Sequence, residues 1–242
     1  MYLNEQHIYR HYLVIDIETV SAVPSFQDLD TRMQALWEKK AQFLSNKENL
    51  TPEELYFKRA GIYAEFGKIV CIAAGFFARE VEGPTLRIKS FASHEERAIL
   101  LDFRSLLEES FHNEHLIFVA HNGKEFDYPY ICRRMLANDI PIPEVLQIRG
   151  KKPWEVNHQD TMELWKFGDY KHFTSLETLA AVFGIETSKD DLEGSMVNET
   201  YHNLGDLDRI ARYCERDVAV TAQVFLRLHG LPMIESDRIL YL

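Results

Sequence analysis

Tyr12-Leu-Val-Ile-Asp-Ile-Glu18 opens with a β-branched apolar run of strand length and reads as a buried strand. In a strand, residues i and i+2 share a face, so Asp16 and Glu18 point the same way at the end of that run. Two like charges held there repel, and desolvation adds to the cost unless a cation compensates. The alternative is that the strand has ended and Glu18-Thr19 begins a solvated turn.

Outward from this strand, residues 21–66 turn polar and helical, with Thr51-Pro-Glu-Glu54 offering an N-cap, a Pro at the first helical position and an acidic first turn. Lys68 to Phe77 predicts a second strand, Gly83-Pro84 a turn and Leu86 to Phe91 a third strand. Ser93-His-Glu-Glu96 has capping-box spacing and opens a helix to about Glu109. His115 to Ala120 is a fourth strand and Tyr128 to Asn138 a helix. Pro141 to Pro153 is a loop and His158 to Met162 a short strand, with helices at Ser175 to Phe183 and Asp206 to Leu228. Strands first and helices after suggest one mixed α/β domain over 1–242 with a mostly antiparallel first half. Residues 21–66 read as a helical insertion between the first two strands, without a core of its own.

Composition narrows the function. Lys plus Arg number 27 against 38 Asp plus Glu, a formal net charge of -11, which excludes a protein that coats duplex nucleic acid. It leaves open an enzyme that draws a phosphodiester into one metal-neutralised cleft, and abundant carboxylates suit hard divalent cations. The best apolar run, Ile69 to Ala78, is well short of the ~18 residues of a membrane span. Met1 to Arg10 lacks the apolar stretch of a secretory signal. Three scattered cysteines, Cys71, Cys132 and Cys214, argue against a disulfide framework or structural zinc site and for a reducing cytoplasm. The Asn49 and Asn198 sequons are then chance matches. Gly61 to Lys68 fails as a P-loop, because Ile69 stands where Ser or Thr must bind magnesium.

Asp217 is the more informative carboxylate. On a helical wheel of Asp206 to Leu228, the apolar arc holds Leu207, Ile210, Ala211, Cys214, Val218, Val224, Phe225 and Leu228. Arg212, Glu215, Arg216 and Gln223 fall on the opposite, solvated side. Asp217 lies inside the arc, with Tyr213 one turn earlier on the same face. A carboxylate there needs a cation, a hydrogen-bond network or a raised pKa; a salt bridge to Arg133, Arg134 or another base is the plainer account. Asp127 follows the His121-Asn-Gly turn and precedes a helix with Pro129 in its first turn. N-capping explains it, but not the bracketing Phe126 and Tyr130, which suit a stacking surface for unpaired bases.

Taken in order, Asp16-x-Glu18, Asp127 and Tyr213-x-x-x-Asp217 resemble the three motifs of the DEDDy-type 3'-5' exonucleases of the ribonuclease H-like superfamily. The sister branch has a His five residues before the last Asp, where this chain has Arg212. Asn122-x-x-x-Phe126-Asp127-x-Pro129-Tyr130 is similar to the second motif of proofreading domains in B-family DNA polymerases. Gly184-Ile185 and Gly194-Ser195-Met-Val197 are also similar to that group. The resemblance spans Tyr12 to Leu228, as in stand-alone bacterial exonucleases related to those domains. It implies a ribonuclease H-like fold, with a mixed central sheet (antiparallel first three strands, then parallel) flanked by helices.

The resemblance further implies hydrolysis at the 3' end of single-stranded DNA, releasing nucleoside 5'-monophosphates with two Mg²⁺ or Mn²⁺ ions. Asp16 would bridge the ions, Glu18 and Asp217 complete the shell of one, and Asp127 hold the other. Tyr213 would orient the attacking water; with a reference pKa of about 10 it remains protonated and is not the base. Ile17, Thr19, Asn122 and Phe126 are expected to bind the terminal nucleotide, whose base must be unpaired to reach the metals. Lys124, Arg133, Arg134, Arg149, Lys151 and Lys152 form a basic concentration suited to phosphate contacts or to a solvated face. The competing readings are a 3'-5' exoribonuclease of the same fold and a non-catalytic nucleic-acid-binding module.

Overall fold

The computed structural model describes residues 11–111, 116–169, 173–187 and 192–242. Strand β1 (Tyr12–Ser21) lies inside a six-stranded sheet and is covered on both faces, which is why its apolar run is nearly continuous. Residues 21–66 follow, with helices α1 (Thr31–Ala41) and α2 (Pro52–Arg59), and Thr51 is the expected N-cap of α2, in a capping box with Glu54. Strands β2 (Gly67–Glu80) and β3 (Gly83–Ala92) form a hairpin, then come α3 (Glu96–Ser110), β4 (Ile117–Ala120) and α4 (Asp127–Ala137). The two-residue β5 (Gln159–Asp160) runs into α5 (Thr161–Lys166), followed by α6 (Leu176–Phe183), α7 (Leu207–Leu228) and β6 (Ile239–Tyr241).

The strand order is β5-β4-β1-β2-β3-β6. β1, β2 and β3 pair antiparallel, whereas β4 joins β1, β5 joins β4 and β6 joins β3 in parallel. This is the expected mixed sheet, and it carries a second core layer on each face. Helix α7 lies across one face, with Cys214 and Val218 packed among Val14, Cys71, Ala73 and Ile88. On the other face α3 and α4 bury Phe103, Tyr128 and Ile131 against Leu13, Ile15, Ile17 and Ile72. Close approach of α7 depends on Gly75, where a β-carbon would come within 2.6 Å of Val218 Cγ1.

Several local expectations are corrected. The turn between β2 and β3 is Val81-Glu82, since Gly83 and Pro84 already pair with Glu80 and Arg79. Ser93 and Glu96 form no capping box: Ser93 Oγ accepts from the Glu95 amide, and Glu96 is drawn inward. Its carboxylate is buried between the Ile69 amide and the Arg134 guanidinium. The strand expected over 158–162 stops at Asp160, because that side chain turns back to cap α5 through the amides of Met162 and Glu163. Strand β6 was missed, being three residues long and attached to an edge far away in sequence. The expected strand's first residue, His115, and the Met1 to Arg10 stretch lie outside the described residues.

The insertion also differs from its reading. It carries an apolar cluster of its own, in which Trp37, Tyr56 and Ala60 are fully buried with Phe26, Leu55 and Phe66. Trp37 stands edge-on to Tyr56 and Phe66, and its indole N–H donates to Pro52 O at 2.7 Å. Asn198 ties the insertion to the end of β1: Oδ1 accepts from the Ser21 amide and hydroxyl while Nδ2 donates to Phe57 O. No helix among the described residues is long and apolar enough to cross a membrane.

Candidate active site

The sheet and α7 bring four acidic residues to one place. Asp16 and Glu18 project from β1 toward α7, and the register breaks just after Glu18, where Val70 is an extra residue on β2. Such a bulge re-aims the side chains beside it. Asp127 is the first residue of α4 and 3% exposed; Phe126 precedes the helix. Asp127 Oδ1 accepts from the Ile17 amide at 3.2 Å, so it is tied to β1 between the other two acids. Asp217 approaches from α7, hydrogen-bonded by the Tyr213 hydroxyl one turn earlier and eased by the Arg216 charge. Among the described residues neither Arg133 nor Arg134 pairs with Asp217, Arg134 being committed to Glu96 at 2.6 Å; the base whose charge acts on Asp217 is Arg216.

Burial and crowding push these carboxyl groups toward their neutral forms. Asp16 is raised well above the usual carboxylate range by desolvation, then by Asp127, Glu18 and Asp217. Glu18 is raised likewise by burial and then by Asp217, with Cys71 and Asp127 contributing less. Burial lifts Asp127 to about 7, partly offset by its backbone hydrogen bonds, and lifts Asp217 to about 6 against the Tyr213 hydrogen bond. Tyr213 is itself raised far up by burial and by Asp217, Glu18 and Asp16, so it remains a donor. A set of oxygen donors whose only defect is uncompensated negative charge is what a hard divalent cation fits.

Cys214 completes the floor of the site. Its thiol donates to Asp16 Oδ2 at 3.3 Å, and one ligand-capable atom from each of Asp16, Glu18 and Cys214 lies within 4.8 Å of the others. Desolvation and the adjacent Cys71 hold the Cys214 thiol in its protonated form. Asp160 is the residue that sequence reading overlooked. It is 2% exposed at the end of β5 and accepts from the amides of Asn122 and Lys124, fixing the turn that leads to Asp127. Its only sequence signal was a carboxylate inside the short strand expected over 158–162.

Two clefts meet at Gly194 and Ser195. One, of 570 Å³, is lined by Tyr213, Asp217, Arg216 and Ser175; the other, of 850 Å³, by Ile17, Glu18, Thr19, Phe126 and residues of the insertion. Ile17 and Phe126 border the second cleft while packing into the core, and the Phe126 and Tyr130 rings lie 5.3 Å apart. Asn122 lines neither cleft. It sits in the left-handed region at φ 63° and its Oδ1 is buried without a hydrogen-bond partner.

The basic concentration anticipated at 124–152 lines neither cleft. Arg134 serves Glu96, Asn138 shares that carboxylate, and Lys124 pairs with Glu163 at 2.8 Å. Arg133, Arg149, Lys151 and Lys152 are exposed, with Lys152 over the Trp154 ring. The wheel assignment of α7 holds for exposed Arg212 and is corrected for the other three residues, because β3 and the segment after α7 cover part of that side. Gln223 is buried and exchanges two hydrogen bonds with the Ile234 backbone; Glu215 binds the Ser90 hydroxyl, and Arg216 is half-buried.

The model of a family described as a predicted 3'-5' exonuclease related to the exonuclease domain of PolB matches residues 62–234. Asp127, Tyr213 and Asp217 fall inside that span, and Asp16 and Glu18 before it. No curated protein matches the chain. Among solved structures, the family B DNA polymerase from the hyperthermophilic archaeon Pyrobaculum calidifontis matches with a TM-score of 0.52 and 16% identity. That alignment covers 89% of this chain and 24% of the polymerase, so the likeness is one of fold, the expected mixed ribonuclease H-like fold.

Proposed function

The chain belongs to the family of predicted 3'-5' exonucleases related to the exonuclease domain of PolB, and from that premise we propose a metal-dependent 3'-5' exonuclease of DEDDy type. Its substrate is the 3' end of single-stranded nucleic acid, DNA before RNA, and its products are nucleoside 5'-monophosphates. The observation that carries this reading is the convergence of buried Asp16, Glu18, Asp127 and Asp217, close enough that the other three all raise Asp16 and Asp217 raises Glu18 and Asp127.

Asp16, Glu18 and Asp217 would hold one divalent ion, and Asp16 with Asp127 a second. Bound there, Mg²⁺ or Mn²⁺ supplies the positive charge that activates water and stabilises the leaving 3' oxygen. The protein does the positioning. The Ile17 amide holds Asp127 toward β1, and the Cys214 thiol fixes one oxygen of Asp16. Tyr213, kept protonated by burial and by Asp217, donates to that carboxylate and faces the 570 Å³ cleft, where it orients the attacking water. Ile17, Thr19 and Phe126 wall the neighbouring cleft and would hold the terminal base and sugar.

The test is a time course on 5'-labelled single-stranded DNA and RNA of one sequence, with Mg²⁺, Mn²⁺ or EDTA. A ladder shortening from the 3' end, metal-dependent and lost in a folded Asp217→Ala variant, is expected, with DNA cut faster. Binding without cleavage under either metal would replace the enzyme by a non-catalytic nucleic-acid-binding module. Cleavage that survives Asp217→Ala would overturn the site.

A further inference from the structure

We propose that the 21–66 insertion is a backbone-binding wall, which holds the internal phosphates of a single strand whose 3' end lies at Glu18. This rests on the nuclease reading above and gives the insertion a role within it. The 850 Å³ cleft has two unlike sides. One is the end of β1 with Phe126, and carries Ile17, Glu18 and Thr19; the other is the insertion, and carries Lys47, Lys58 and Arg59. Among the described residues, Glu48 is the one acid besides Glu18 that lines the cleft. A local excess of positive charge on a chain of net charge -11 marks where a polyanion approaches without repulsion.

These cations are placed to exchange partners. Lys47 is exposed and makes no ion pair among the described residues. Lys58 pairs with Glu48 at 2.7 Å, but both side chains are more than half exposed, and such pairs contribute little. Arg59 donates one guanidinium nitrogen to Ser45 O and so stiffens the 45–50 loop that presents Lys47. Asn46 closes the same loop by two hydrogen bonds with the Leu50 backbone.

The wall is also fixed in register with the acidic site. Asn198 bridges Ser21 and Phe57, the Tyr130 hydroxyl donates to Gly61 O at 2.8 Å, and Arg134 donates to Ala64 O at 2.8 Å. A β-carbon at Gly61 would lie 3.0 Å from the Val20 carbonyl carbon, so the insertion rests directly on the end of β1. Tyr130 and Arg134 belong to α4, the helix that begins with Asp127, and a phosphate held by the insertion is thereby set at a constant distance from the carboxylates.

The experiment compares wild type, Lys47→Ala/Lys58→Ala and the control Arg32→Ala/Lys39→Ala, which removes the same charge from exposed positions of α1 outside the cleft. Binding of a fluorescent single-stranded 12-mer in EDTA is followed by anisotropy across salt concentrations. Hydrolysis of thymidine 5'-monophosphate p-nitrophenyl ester with Mn²⁺ is measured on the wild type. For the cleft variant, the slope of log affinity against log salt should flatten by about 1.4, at roughly 0.7 per lost phosphate contact. The control should keep the wild-type slope. An unchanged slope in the cleft variant, or an equal loss in the control, overturns the wall. If the wild type hydrolyses neither the ester nor the 12-mer while the cleft-specific slope change is seen, the nuclease reading fails and the binding wall stands.

Discussion

Tyr213 and Asp217 act as a pair one helical turn apart, and their environment sets what each can do. The tyrosine is too strongly held in its protonated form to accept a proton, so its contribution is a hydrogen bond and a position. Tyr213→Phe is therefore expected to lower kcat by about 10- to 100-fold with KM little changed; steady-state kinetics on a short single strand would show it. For Asp217 the native pKa, about 6, lies above the ordinary 3.8. The folded protein then binds more protons than the unfolded chain between these values, so its stability falls as pH rises through that window. Asp217→Asn removes the penalty while keeping an acceptor for Tyr213. Urea unfolding in EDTA should find the variant more stable than wild type at pH 8, with the difference vanishing toward pH 4. A variant less stable at pH 8 would contradict the burial that raises this carboxyl.

At the scale of elements, the site depends on how closely α7 and α4 are held to the sheet. Gly75 lets α7 lie against β2, and Gly75→Ala would force Val218 outward together with the turn that carries Tyr213 and Asp217. Overpacking of this kind costs about 1–3 kcal/mol; a lowered urea midpoint with a larger loss in kcat than in substrate affinity is the expected signature. Arg134 makes a different point. From sequence it was one of six bases suited to phosphate, yet its guanidinium is tied to the buried Glu96 and to Ala64 O. Arg134→Ala leaves Glu96 buried and unpaired, at a cost of about 3–5 kcal/mol. Chemical denaturation should register that loss, and the salt dependence of binding should be unaffected. Helix periodicity was legible for both helices. Which polar residues on them faced water was not, because Gln223 and Arg134 are covered by segments that the wheel does not contain.

For the molecule as a whole, the proposed ion site would link folding to cation binding. An ion that binds only the native state at 100 times its Kd adds about 2.7 kcal/mol. For a chain of this size that corresponds to a rise in Tm of roughly 5–10 °C. Thermal unfolding in Mn²⁺ against EDTA should show the shift in wild type and lose most of it in an Asp16→Asn/Asp217→Asn variant. An equal shift in both would place the stabilising ion elsewhere.

The sequence alone determined the mixed sheet and the order of its acidic motifs, because both are local patterns. A β-branched run, a shared strand face and a carboxylate inside an apolar helical arc are visible within a few residues of one another. The likeness to proofreading exonucleases then followed from three such patterns in order. Tertiary structure decided what those patterns could not contain: that Asp160 fixes the turn before Asp127, that Cys214 supports Asp16, and that the bases at 124–152 line neither cleft. It also showed that the insertion has its own aromatic cluster and that Lys47, Lys58 and Arg59 line the same cleft as Glu18. Each of these is a contact across many residues of chain, and burial, which gives a charge its meaning, exists only once the chain has folded.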